Sequence, residues 1–145
     1  MYEAKLCVVL AIGLSVFLAN CADQNEVCDV KEEVQFLFGM RVDTTGVEDF
    51  VAVTTDQTVI AAARSQLLLP ASERILHIHG TIGLGGGGHN LQWDWHFLPG
   101  QWNLVEESVE ICDGVPSAVQ ASIGTWRDTV ASFCPFTSYV KAELR

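Results

Sequence analysis

All four histidines of the chain stand between His77 and Phe97, in the stretch HIHGTIGLGGGGHNLQWDWHF, together with two of its four tryptophans. Neutral imidazole is a ligand for zinc and copper, and residues two positions apart on a β-strand share one face. His77 and His79 would therefore point the same way. His96 would join them across a strand ladder, and Asp94 or Glu106 would add a carboxylate to a divalent-metal site. His89 and Asn90, in the glycine-rich loop between, are placed to close over such a site or to touch a ligand. No close-spaced metal signature such as H-E-x-x-H occurs, so the first reading of these residues is the solvated face of a half-exposed sheet, with the metal site second.

Other chemistries fit less well. Gly83 to Gly88 matches G-x-G-x-x-G literally, but a phosphate cradle needs a helix N-terminus next, and His89-Asn90-Leu91-Gln92-Trp93 is strand-like. The glycines then read as a mobile connection between strands. Glu106 and Glu110, four strand residues apart, would stand about 13 Å from each other, too far for a glycosidase pair. No G-x-S-x-G elbow is present. Of the tryptophans, Trp93 and Trp95 have the alternation of core residues rather than of a sugar platform.

The elements that must position these residues follow from periodicity. Val34 to Val42 alternates as a strand, Asp43-Thr44-Thr45-Gly46 turns the chain, and Asp49 to Thr55 returns as the second strand of a hairpin. Asp56 or Thr55 caps a helix with the stripe Val59, Ile60, Ala63 and Leu67, and Pro70 stops it near Leu69. Further strands are predicted over Arg74–Ile82, Gln92–Leu98 and Asn103–Cys112. A second helix opens at Pro116 and runs at least to Ile123, and a last strand spans Tyr139–Leu144. In this reading Trp93, Trp95 and Phe97 face the core, as do Val105, Val109 and Ile111. His77, His79, Asp94, His96, Glu106, Ser108 and Glu110 share the opposite, polar surface. The expected fold is α+β, a mainly antiparallel sheet of five to six strands with two helices packed on one face.

The first residues bear on compartment. Leu6 to Ala19 is an apolar run after a short polar start, with small residues following, which reads as a signal peptide over residues 1–22 and falls short of a membrane span. Residues 23–33 form a polar leader, and 34–145 a single domain large enough for its own core. The net charge of −10 argues against nucleic acid and anionic membranes as partners. Cys28, Cys112 and Cys134 remain after cleavage. That odd number allows one disulfide and one leftover thiol in an oxidising compartment.

In order along the chain, FVAVTTDQTVIAAARSQL, HIHG, GGHNLQWDWHF, EICDGVPS and FCPF resemble the BP-seventy-four-like N-terminal domain family. The likeness covers residues 34 to 144 or so. It implies a compact, often secreted domain and supplies no catalytic residues. Within its motifs stand Cys112 and Cys134, which are expected to form the disulfide. Bridged Cα atoms lie within roughly 7 Å, so the second helix must break near Gly124 or the chain must double back before Phe133. Cys28 lies outside the motifs and offers a link to a dimer of an otherwise monomeric protein. The expectation is a secreted, non-catalytic binding or interaction module without a cofactor, meeting an extracellular protein or a small ligand, in defence or in inhibition of an extracellular enzyme. The alternative is a zinc- or copper-binding protein or metalloenzyme using the histidine face.

Overall fold

The computed structural model describes residues 31–145. The segment read above as a signal peptide, Cys28 and most of the leader lie outside them. Among these residues five strands form two antiparallel sheets, so the fold is α+β as expected, but the single five- to six-stranded sheet with two helices on one face is not formed.

The first sheet is built on β1 (Val34–Met40), which lies between β2 (Phe50–Thr54) and β5 (Ser138–Leu144). β1 buries Val34, Phe36, Phe38 and Met40, every second residue, as an alternating strand must. The β1–β2 turn is closed by the Asp43 carboxylate, which accepts from the amides of Thr45 and Glu48 and from the Thr45 hydroxyl. Helix α1 (Gln57–Leu67) follows. Asp56 caps it by accepting from the amides of Thr58 and Val59, and it buries Val59, Ile60 and Ala63.

The second sheet pairs β3 (His77–Leu84) with β4 (Trp95–Val105). The two strands predicted over Gln92–Leu98 and Asn103–Cys112 are thus one strand, and it ends at Val105. Its register breaks between the pairs Gly80–Trp102 and Ile82–Phe97, where β4 spends three more residues than β3. This bulge holds Pro99 and Gly100, the latter at φ +74°. An odd insertion reverses the phase of the pleat. Trp95 and Phe97 face the core before it, Trp102 faces the core after it, and Gln101 and Asn103 swing to the outside. Val109 and Ile111, expected inside, are 62% and 72% exposed because the strand that was to carry them ends at Val105. Beyond Val105 the chain is irregular and then forms a 3-10 turn over Glu110–Cys112.

The two sheets are joined by side chains rather than by a backbone ladder. Trp93 Nε1 donates to the Asp49 carbonyl (2.8 Å), Asn90 Oδ1 accepts from the Val51 amide (2.9 Å), and Trp102 Nε1 donates to the Val53 carbonyl (2.8 Å). These alternate residues use the edge of β2 that faces away from β1. Such an edge is otherwise open to pairing with another chain. Behind the seam lies an aromatic core of Phe36, Phe38, Phe50, Trp95, Phe97, Trp102 and Phe133, with the Phe38 and Phe50 rings stacked at 5.2 Å.

Helix α2 (Pro116–Ala121) is shorter than predicted. It breaks at Ser122, passes through a one-turn helix at Ile123–Thr125 and a π-type turn at Trp126–Val130, and reverses at Ala131, which has φ +63°. This break and reversal meet the geometric condition for the disulfide. Cys112 and Cys134 are bonded, with their Cα atoms 5.1 Å apart.

Candidate functional site

The histidines fall into two groups at opposite ends of the second sheet. His77 and His79 pair with Val105 and Asn103, whereas His96 pairs with Gly83, four residues beyond His79 along β3 and so about 13 Å away. Asp94 lies near His96 in sequence, and its carboxylate accepts from the Gln120 side chain while its amide donates back to it. Glu106 follows the register partner of His77 but is exposed, outside any strand. The set His77, His79, His96, Asp94 and Glu106 does not converge. The bulge and the end of β4 at Val105 are the reason, because the common polar face required three strands in phase.

His77 and His79 do share one partner. Ser108 Oγ lies 2.9 Å from His77 Nε2 and 2.9 Å from His79 Nδ1. A hydroxyl has one proton, so with neutral rings it donates to one imidazole and accepts from the other. His77 is not a solvated residue: it is 3% exposed, with its ring 5.3 Å from that of Phe136. Burial, with the neighbouring His79 adding to it, pushes its pKa below the usual histidine value, and the Asp113 carboxylate opposes the shift.

His79 faces an open hollow of about 310 Å³, lined also by Gly80, Thr81, Gln101, Asn103, Val105 and Ser132. The β4 bulge builds one wall by turning Gln101 and Asn103 outward. Gly80 permits the close pairing beneath, because a Cβ there would meet the Trp102 backbone and side chain and come within 2.6 Å of the Gln101 carbonyl. Gly80 and Phe133 exchange backbone hydrogen bonds of 3.0 and 2.8 Å in an isolated antiparallel bridge. That bridge sets Cys134 beside His79. Among the described residues, His79, Cys112 and Cys134 are the one group of three metal-ligand side chains whose ligand atoms all lie within 4.8 Å of one another. Sequence reasoning missed this grouping, since it assigned the cysteines to a disulfide and the histidines to a separate face.

At the other end, the glycine loop is tied down rather than hanging free. Gly85 N donates to the Asp94 carbonyl, the amides of His89 and Asn90 both donate to the Gly86 carbonyl, and His96 Nδ1 donates to the Gly85 carbonyl at 2.7 Å. Gly87, at φ +61°, lies so close to His96 that a Cβ would come within 2.7 Å of its ring. Asn90 is 1% exposed. Besides the Val51 amide it serves the Trp95 carbonyl (2.9 Å), so both ends of its side chain are used inside the protein. His89 donates from Nδ1 to the Gly87 carbonyl, its ring meets His96 edge-on at 5.5 Å, and its buried Nε2 has no hydrogen-bond partner. Burial, the largest cause, lowers its pKa.

A family model described as the BP-seventy-four N-terminal domain matches residues 32–145. No curated protein and no protein of solved structure matches the chain. Among the described residues, no helix is long and apolar enough to cross a membrane.

Proposed function

Since the chain belongs to the BP-seventy-four N-terminal domain family over residues 32–145, we propose that these residues act as one unit, a secreted, non-catalytic binding module that holds a small uncharged group in the hollow beside His79. The lining of the hollow carries this reading. Of its seven residues only His79 is ionisable, and Thr81, Gln101, Asn103 and Ser132 offer neutral donors and acceptors. A set of convergent neutral polar groups in a recess of about 300 Å³ suits a hydroxyl- or amide-bearing ligand. The net charge of −10 works against an anionic one. Ser108, the hydroxyl engaged by two imidazoles, is not part of this lining, and neither are Asp94 and Glu106. The apolar segment Leu6 to Ala19 and the Cys112–Cys134 disulfide support secretion.

The test is amide chemical-shift mapping on isotope-labelled protein with neutral sugars and N-acetylated amines at millimolar concentration. Shifts should centre on Thr81, Gln101 and Asn103. They should vanish in a Q101L/N103L variant whose stability stays within about 0.5 kcal/mol of the parent, as for ordinary surface changes. Shifts centred elsewhere, or turnover of the added compound, would overturn the reading. Expressed in secreting cells, the mature protein should begin near Ala22 or Asp23. A secreted product that keeps Met1 to Ala19 would remove the case for a signal peptide.

A further inference from the structure

The sulfurs of the Cys112–Cys134 disulfide lie against a histidine, and that placement has chemical content. We propose that reduction of this disulfide converts it and His79 into a zinc site. The ligand atoms of the three residues already lie within 4.8 Å of one another. Tetrahedral zinc, with Zn–S about 2.3 Å and Zn–N about 2.0 Å, sets its ligand atoms roughly 3.5 Å apart. The sulfurs therefore need only move apart from bonded contact, and the imidazole needs only close by about an ångström.

The backbone holds the site together without the S–S bond. Cys134 N donates to the Cys112 carbonyl at 2.8 Å, and the Gly80–Phe133 bridge ties the Cys134 segment to β3 beside His79. The two cysteine Cα atoms, 5.1 Å apart, thus stay close when the sulfurs separate. Ser108 Oγ on His79 Nδ1 fixes the ring, as the outer hydrogen bond of a zinc-bound histidine does. Of the three residues only His79 lines the neighbouring hollow, both cysteines being fully buried, and zinc held by three protein ligands takes water or a small ligand as its fourth.

The chemistry balances with a dithiol as reductant. Two electrons and two protons pass from the dithiol to the disulfide, which opens to two thiols while the dithiol closes to its own disulfide. Zinc then displaces the two thiol protons and binds two thiolates and a neutral imidazole. The site is distinct from a metal on the histidine face, because it uses sulfur, and it stands whether or not a neutral ligand enters the hollow.

The test uses the full chain with Cys7, Cys21 and Cys28 replaced by serine, reduced with a phosphine and titrated with cobalt(II) and then zinc(II). One equivalent of cobalt should give tetrahedral d–d bands and thiolate-to-cobalt charge transfer, both abolished by zinc. The oxidised protein should give neither, and C112S/C134S should give neither. H79Q should bind at least tenfold more weakly. If the reduced chain loses its near-ultraviolet circular dichroism, recovery on adding zinc supports the site and failure to recover overturns it. Absence of stoichiometric cobalt uptake, equal binding by H79Q, or equal binding by the oxidised protein would each overturn it.

Discussion

Replacing Asn90 by alanine separates a structural role from a ligand-binding one. Its Oδ1 accepts from the Val51 amide and its Nδ2 donates to the Trp95 carbonyl, each at 2.9 Å, in a side chain that is 1% exposed. Alanine removes the side-chain partner of a part-buried amide and of a buried carbonyl, and a buried group left unpaired costs about 1–3 kcal/mol. The amide has no second option, whereas the carbonyl keeps another lone pair, so we expect a total of about 3 kcal/mol. At roughly 4 °C per kcal/mol for a domain of this size, the midpoint of thermal unfolding should fall by about 12 °C. Asn90→Asp keeps the acceptor for Val51 and loses the donor for Trp95, and it also sets a carboxylate against a carbonyl. It should be no more stable than the alanine variant. Urea unfolding followed by tryptophan fluorescence and circular dichroism, with an unchanged denaturant slope, gives the free energy. A loss below about 0.5 kcal/mol, the range of ordinary surface changes, would show that the side-chain seam along β2 does not hold the sheets together.

Two further outcomes follow from burial and connectivity. His77 and His89 both have lowered pKa values in the fold, so the unfolded chain binds protons more readily as pH drops. Their neutral forms cost the native state nothing above about pH 6.5, and stability should decline below it by at most about 1.4 kcal/mol per pH unit for each histidine. Urea midpoints between about pH 7.5 and 5.5, on either side of the ordinary histidine value, report this. H77Q should flatten the slope, and a flat parent profile would contradict the assignment. With a sequence separation of 22 from Cys112 to Cys134, the chain-entropy model gives the disulfide about 3.4 kcal/mol, so C112S/C134S should remain folded but lose that much. Peptide mapping that joins Cys28 to either cysteine would contradict the pairing.

The legible parts of the fold are those whose signals are local. Asp56, the stripe from Val59 to Leu67 and Pro70 mark α1 within a few residues, alternating apolar positions mark β1, and the short apolar run Phe50–Val53 after a turn marks β2. Pro99-Gly100 is readable as an interruption, but an interruption inside one strand looks locally the same as a gap between two. The informative detail is phase. Trp95 and Phe97 are odd-numbered and Trp102 and Leu104 even-numbered, the pattern left by an odd insertion in one continuous strand. Which edges pair is set by residues far apart, so the division into two sheets has no local mark. The placement of Cys134 against His79 likewise rests on a two-residue bridge between distant segments, Gly80 and Phe133.

The position of β1 between β2 and β5 fixes an order of events in time. A chain made from its N-terminus forward has β1 and β2 available early, and their hairpin can form at once. The other side of β1 must wait for Ser138–Leu144, the last strand described. Until then the nascent hairpin carries Phe36 and Phe38 with one row of backbone donors and acceptors unpaired. Closure of the sheet is therefore a late, long-range step of the kind that slows folding and invites mispairing. Loss of the final strand would leave every copy of the protein halted at that stage, with the open edge of β1 free to meet another hairpin like itself.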